Sequence, residues 1–332
     1  MEQCITNYLK SLHIGRKQSY KNLAIFPLLS TADISLNYFI LDEALSGELI
    51  DVSEVDKGGS VPELKVINKA PEMILILDGE ELVGAKQNRI VNTTILIQKK
   101  STIVIPVSCV EQGRWSYESP RFYSKKRVMS PNLRAMKAQQ VHRSVRETGE
   151  FRSDQGALWE EISEKAERME APSDTMALGD IYEKEMPSMT KYVDHFTLTE
   201  RQVGAIFMIN GEIAGLDSFG KPETFSKVFK KLVESYALDA LDWYDPKKEF
   251  KVLKGDATQF ITACRAATVE AQPSVGLGTD CRMESKKITG FALAHDEKVL
   301  HLSVFARRDQ EKEKNHTQRM ERFSNRRRRN RT

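Results

Sequence analysis

The sequence predicts an α+β protein: an antiparallel β-rich N-terminal half, central helices, and a helix-backed antiparallel sheet at the C-terminal end. Three observations predict it. Residues 20–110 carry short β-branched runs punctuated by turn-forming residues. After Tyr117 the composition shifts to polar stretches with helical periodicity. Beyond Val203, hairpin-forming strands alternate with two helical patterns.

The chain opens on Ile5, Tyr8, Leu9 and Leu12, whose spacing predicts a short amphipathic helix. Leu23–Leu28 and Leu36–Leu41 read as strands, with Ser30–Asp33 a turn between them. Asp42–Ser46 forms one helical turn stopped by Gly47, Leu49–Val55 is extended, and Lys57–Ser60 is a flexible loop before a strand at Leu64–Ile67. Met73–Leu77 is a buried strand, and Asp78-Gly79 is a strong hairpin-turn signal. Val91–Ile97 reads as one strand and Thr102–Val107 as another, in which Pro106 requires an edge position or a bulge. Residues 20–110 are thus expected to form an antiparallel layer.

From Arg121 to Arg152 nine Lys/Arg face two Glu, and Ser130-Pro131 caps a helix over Pro131–Glu147. Its apolar residues are sparse, so much of it should be exposed or covered by something anionic. Leu158, Trp159, Ile162, Ala166 and Met169 form one helical face ended by Pro172, and Met176–Met189 gives a weaker pattern. Val203–Leu216 is a hairpin about Asn210-Gly211. Pro222 opens the clearest amphipathic helix, with Phe225, Val228, Phe229, Leu232, Val233, Tyr236 and Ala240 on one face. Asp256 and Gln259 fit a capping box for a helix to about Ala271, and strands follow at Gly278–Met283, Ile288–Ala294 and Val299–Phe305. The runs ILILDGEELVG (74–84) and IFMINGEIAG (206–215) echo one another, as a duplicated half-domain or as convergent hairpin grammar.

A chain of 332 residues can bury a core without disulfides. Four cysteines without CxxC or metal-ligand spacing predict a reducing cytoplasm and no metal site. No apolar run approaches the ~20 residues of a membrane helix, and the N-terminus lacks a signal-peptide core, so no membrane partner is expected. The formal charge of +3 is split: residues 307–332 hold eleven Lys/Arg and four Asp/Glu, a net of +7, leaving −4 for residues 1–306. The expected organisation is an N-terminal helix (1–19), one domain (20–305) in a β-rich lobe (20–120) and a mixed lobe (121–305), and a disordered basic tail (306–332). That tail is either a polyanion-binding arm, for nucleic acid or an acidic partner, or a solvated extension.

Two polar clusters stand at the ends of short strands. Glu80 and Glu81 follow a tight turn, and their alternation lets one of them at most enter a given pocket, as acid/base candidate. The alternative is a pair of exposed turn carboxylates. Lys86 and Arg89 suit a phosphate or carboxylate, and Gln87, Asn88 and Asn92 suit a base or sugar edge, or the loop's own backbone. Glu111, Arg114 and Trp115 form the second cluster. Cys109 has no local His to activate it and reads as a buried structural thiol. Ser274–Asp280 is glycine-rich but precedes a strand, so it lacks the helix end of a phosphate loop.

The runs DGEELVGAKQNRIVNTTILI and STIVIPVSCVEQGRW, with FGKPETF and ESYALDAL downstream, resemble the ARG and rhodanese-phosphatase-superfamily-associated protein domain family over about residues 20–305. The resemblance implies a link to ADP-ribose or NAD-derived metabolism through the family's association with ADP-ribosylglycohydrolases and phosphatases. It supplies no catalytic residues and no cofactor. The expectation is therefore a protein that binds, or processes, a small phosphorylated ligand, with Glu80 or Glu81 as acid/base. The second reading is an interaction module using its basic segments on nucleic acid or an acidic protein.

Overall fold

The computed structural model describes residues 1–31, 34–56, 62–114, 116 and 119–307. The Lys57–Ser60 loop, Trp115 and the tail from residue 308 lie outside the described residues. Helix α1 (Glu2–Ser11) leads to β1 (His13–Ile14), β2 (Gln18–Tyr20), β3 (Leu23–Leu29), β4 (Tyr38–Ile40), α2 (Leu41–Ser46), β5 (Ile50–Glu54) and β6 (Glu63–Asn68). Then come β7 (Met73–Ile76), β8 (Glu80–Gly84), β9 (Arg89–Val91), β10 (Ile95–Ile97), β11 (Thr102–Cys109) and β12 (Phe122–Val128). The central helices are α3 (Pro131–Thr148), α4 (Gln155–Arg168) and α5 (Leu178–Val193). The hairpin β13 (Gln202–Ile209) and β14 (Glu212–Phe219) precedes α6 (Pro222–Asp242) and α7 (Lys254–Arg265). Last are β15 (Thr268–Pro273), β16 (Thr279–Glu284), β17 (Ile288–His295) and β18 (Lys298–Ala306). The α+β class predicted from sequence holds.

Three sheets replace the single layer expected over residues 20–110. The largest runs β1-β3-β13-β14-β18-β17-β16-β15, with β2 also on β3. Strand β3 therefore leaves the first half of the chain and pairs with β13, antiparallel from Leu23↔Ile209 to Leu29↔Gln202. Alternation explains its uninterrupted apolar run. Leu23 and Ile25 pack into the core beneath α4, α5 and α6, while Ala24, Phe26 and Leu28 pack into the core beneath α1 and α7. A sheet covered on both faces needs apolar residues at every position. On α6, Phe225, Val228, Leu232, Val233 and Tyr236 are buried, at roughly 1.5–3 kcal/mol for each large side chain.

The second sheet, β10-β7-β4, contains a parallel pair, β4 with β7. The third runs β12-β8-β9-β11-β6-β5. Here the sequence reading is corrected twice. Asp78-Gly79 does not close a hairpin: β7 belongs to the second sheet and β8 to the third, so the turn is a crossing. Val91–Ile97 is likewise two strands, with Asn92-Thr93-Thr94 crossing back. The echo of 74–84 in 206–215 is thus not a repeated hairpin, since Asn210-Gly211 does join paired strands. Pro106 sits where β11 passes from pairing with β6 (Thr102–Pro106) to pairing with β9 (Val107–Cys109). The ladder needs no second N–H bond there, which is how a proline is tolerated.

The two crossings leave buried backbone groups outside any ladder, and α3 meets their needs. Lys137 Nζ donates to the carbonyls of Val91 and Asn92, both at 3.1 Å, and to Asp78. Arg134 bonds Asp217 through both terminal nitrogens (2.8 and 3.0 Å) and reaches Asp78 at 3.3 Å. Tyr236 and His301 complete the surroundings of Asp217, at 2.9 and 3.5 Å. The expectation that α3 is exposed or covered by something anionic resolves inside the protein: Arg134 and Lys137 are about fully buried against its own aspartates. Against the cost of burial, Arg134 holds Asp217 well below the usual carboxylate range. Burial drives Lys137 down to about 8, although Asp78 opposes it.

Local signals at helix ends were less reliable. Ser130 makes no side-chain cap; Asp239 of α6 instead accepts from the Asn132 N–H at 2.8 Å. Helix α7 starts after Leu253 without a side-chain cap, so Asp256 and Gln259 form no capping box. It ends at Arg265, and residues expected to continue it become β15, drawn into the sheet by pairing with β16. No helix among the described residues is long and apolar enough to cross a membrane.

Candidate functional site

Strand β8 carries the two carboxylates to opposite faces, as alternation requires. Both are buried, so the exposed-turn alternative is overturned. Glu80 accepts from the Leu77 N–H (2.8 Å) and pairs with Lys231, which also bonds Asp42 at 2.7 Å. Despite burial, these two carboxylates push Lys231 up and keep it protonated. Glu80 is therefore committed to tying β8 to α6 and α2.

Glu81 has a different setting. Strand β12 pairs with β8 at Ser124↔Leu82 and again at Val128↔Glu80, so three residues bulge out opposite Glu81. Lys126 adopts a positive φ of 56° in this bulge, and Arg127 is turned inward. Its Nη1 lies 3.7 Å from Glu81 Oε2. Its Nη2 binds Glu183 of α5 at 2.5 Å. Neither oxygen of Glu81 has a hydrogen-bond partner, nor does Arg127 Nε. The first turn of α5 closes the site: a Cβ on Gly179 would lie 3.4 Å from Glu81 Oε1 and 3.2 Å from Arg127 Nη1. Burial, reinforced by Glu111 and opposed by Arg127, pushes the Glu81 carboxyl up to about 7. Such a group exchanges its proton near neutrality.

The two polar loops do converge. The β8–β9 hairpin loop (85–88) meets residues 111–114, and Arg114 joins them. Its Nε and Nη2 hold Glu111 at 3.0 and 2.7 Å, Nη1 reaches the carbonyls of Ala85 (2.8 Å) and Ser116 (3.0 Å), and Nη2 reaches Asn88 Oδ1 at 3.1 Å. Glu111 also accepts from the Asn88 N–H (3.0 Å) and Thr175 Oγ1 (2.9 Å). Its carboxyl lies below the usual range: burial opposes this, and the Arg114 bonds outweigh it. Glu111 further bridges to Ala177, beside the α5 first turn that contacts Glu81. In this state the donors proposed for a ligand are spent on the loops themselves. Lys86, half-buried, is the most open residue of the hairpin loop.

Arg89 and Asn92 point elsewhere. Arg89 Nη1 donates to Gln87 Oε1 at 3.2 Å and Nη2 lies 3.7 Å from Glu54. Asn92 belongs to the sheet crossing, where its amide donates to the Phe151 carbonyl and it accepts from Ser108. Cys109 is buried, and its thiol is pushed up to about 11 by that burial, in keeping with a structural role. The glycine-rich 274–280 turn packs on the protein's own β10: Leu277 N–H donates to Leu96, and a Cβ on Gly276 would strike the Leu96 carbonyl at 2.2 Å.

The comparisons agree with the residues that first suggested a family. The sequence profile of the ARG and Rhodanese-Phosphatase-superfamily-associated Protein domain matches residues 11–305. The chain belongs to that family. No curated protein and no solved structure matches it. Within this family member, sequence reasoning missed Arg127, Gly179 and Thr175. In the sequence Arg127 is one of nine Lys/Arg between Arg121 and Arg152; the bulge that inverts it has no motif, and α5 reaches the site only through tertiary packing. Arg127, Arg134 and Lys137, all buried, are also unavailable to a polyanion.

Proposed function

We propose that this protein binds a small phosphorylated ligand of the ADP-ribose or NAD-derived class beside the joined loops 85–88 and 111–114. In this reading Glu81 is the acid/base group, and Arg127 steadies an anionic or carbonyl oxygen. The family's association supports the ligand class. The observation that carries the site is the Glu81 carboxyl, buried with neither oxygen hydrogen-bonded and pushed up to about 7. An unmet buried carboxyl costs stability, roughly 1–3 kcal/mol or more, and such groups persist where a function uses them. Lys86, Asn88 and Arg114 would take the ligand's anionic and polar groups as the loops open, and Glu80 would stay structural.

The test is a thermal-shift series with ADP-ribose, NAD, nucleotides and sugar phosphates, since a ligand of the folded state raises apparent stability. A shift with one of them, reduced in Lys86→Ala and changed in its pH dependence by Glu81→Gln, is expected. The absence of any shift, alongside salt-sensitive nucleic-acid binding lost on deletion of residues 308–332, would replace this reading with that of a polyanion-binding module.

A further inference from the structure

A separate constellation lies under the loop between α3 and α4, residues 149–154. Arg282 of β16 is 1% exposed. Its Nε and Nη2 grip Asp280 at 2.7 and 2.8 Å, and Nη2 also meets Thr93 at 2.8 Å. Nη1 has no hydrogen-bond partner. Buried guanidinium N–H groups are costly to leave unmet, and most find an acceptor. The Phe151 ring of the loop lies 5.3 Å from the guanidinium carbon, as does Phe291.

The loop is fastened above this guanidinium by polar groups that a ligand could use. Asn92 donates its amide to the Phe151 carbonyl at 3.0 Å, and the Ser108 and Ser153 hydroxyls meet at 2.6 Å. At its α3 end Gly149 closes the helix in the left-handed conformation, φ 76°, with nothing within 4 Å of where a Cβ would stand, so the loop leaves the helix into open space.

We propose that Arg282 and Asn92, the latter positioned by Ser108, form an oxyanion-binding site, for a phosphate or carboxylate, that opens when Phe151 and its loop lift about Gly149. The anion replaces the Phe151 carbonyl on the Asn92 amide and accepts from Arg282 Nη1, while Ser108, whose proton lies on Asn92 Oδ1 at 2.7 Å, holds that amide in place. With Nε and Nη2 spent on Asp280 and Thr93, the two N–H groups of Nη1 are the ones left for the anion's oxygens. The closed loop competes with the anion, so binding includes the cost of opening.

Calorimetric titration of the full chain with inorganic phosphate, and in parallel with acetate, at constant ionic strength tests this. Phe151→Ala removes the ring that the anion must displace, so affinity should rise roughly tenfold. Arg282→Lys should abolish binding, and Asn92→Ala/Ser108→Ala, which keeps the Arg282–Asp280 pair, should weaken it should the lysine variant not fold. Phosphate without acetate binding assigns a phosphoryl group; acetate without phosphate assigns a carboxylate. Lys86→Ala, which weakens anion binding at the loops beside α5, should leave this binding unchanged, and that separates the two sites. No saturable heat with either anion in Phe151→Ala would overturn the proposal, as would affinity that the Asn92/Ser108 variant leaves intact.

Discussion

Glu81 and Lys137 show how one physical term, removal from water, gives two different outcomes. Glu81 has a folded pKa near 7 against an ordinary 4.5. A raised carboxyl contributes stability fully below about pH 4.5 and loses it as pH rises through 7. Glu81→Gln stays neutral throughout, so it should gain on the wild type between pH 5 and pH 8, by on the order of 2 kcal/mol. Urea midpoints at the two pH values measure this; parallel profiles would show that the carboxyl is not perturbed. Lys137, in contrast, has all its needs met by Asp78 and two carbonyls. Lys137→Met leaves Asp78 beside Arg134 alone and takes a donor from two carbonyls, of which Val91 keeps the Gly79 N–H, and should cost about 3–5 kcal/mol by chemical denaturation.

At the scale of elements, what could be read in the sequence was local and periodic. The helix from Pro222, the 202–219 hairpin and the last three strands follow from spacing and turn chemistry, which act within a few residues. The turn Asp78-Gly79 satisfied the same local grammar and still failed to make a hairpin, because pairing partners are chosen by burial across the whole molecule. The cations of α3 are buried, and spacing misses it for a related reason: it gives a helix face but not what covers it. The candidate site divides similarly. Loops 85–88 and 111–114 were legible as polar clusters that meet, whereas Arg127 depends on a bulge and Gly179 on α5 docking. Gly84, at the end of β8, gives an element-scale prediction. Its φ is 125° and a Cβ would come within 2.5 Å of Ser119 Oγ and 2.8 Å of the Arg121 carbonyl. Gly84→Ala should therefore destabilise by roughly 1–3 kcal/mol, read from the thermal midpoint, with β8–β12 pairing the first to loosen in hydrogen exchange.

For the whole molecule, titration profiles add with opposite signs. His301 is buried, and burial lowers its pKa even with Asp217 beside it. A lowered histidine contributes stability above about pH 6.5 that is lost as pH falls, because the unfolded chain takes up the proton first. Glu81 tilts the other way over the same range. The two contributions thus oppose one another in the wild type as pH falls from 7 to 5, with Glu81→Gln losing stability toward acid and His301→Asn gaining it relative to its own value at pH 7. Equal slopes in all three proteins would refute the assignment.

The position of β3 bears on how the chain is made. Its partner β13 begins about 180 residues later, and β1, β2 and β3 otherwise hold each other alone. Closing so long a loop before any reward slows folding. As the polypeptide leaves the ribosome, an apolar strand waits with one edge unpaired through the synthesis of all three central helices. That interval, more than the finished fold, is when the protein is open to aggregation and to chaperones. A chain ended near residue 200 should accordingly yield no stable fragment, whatever the quality of its own sheets.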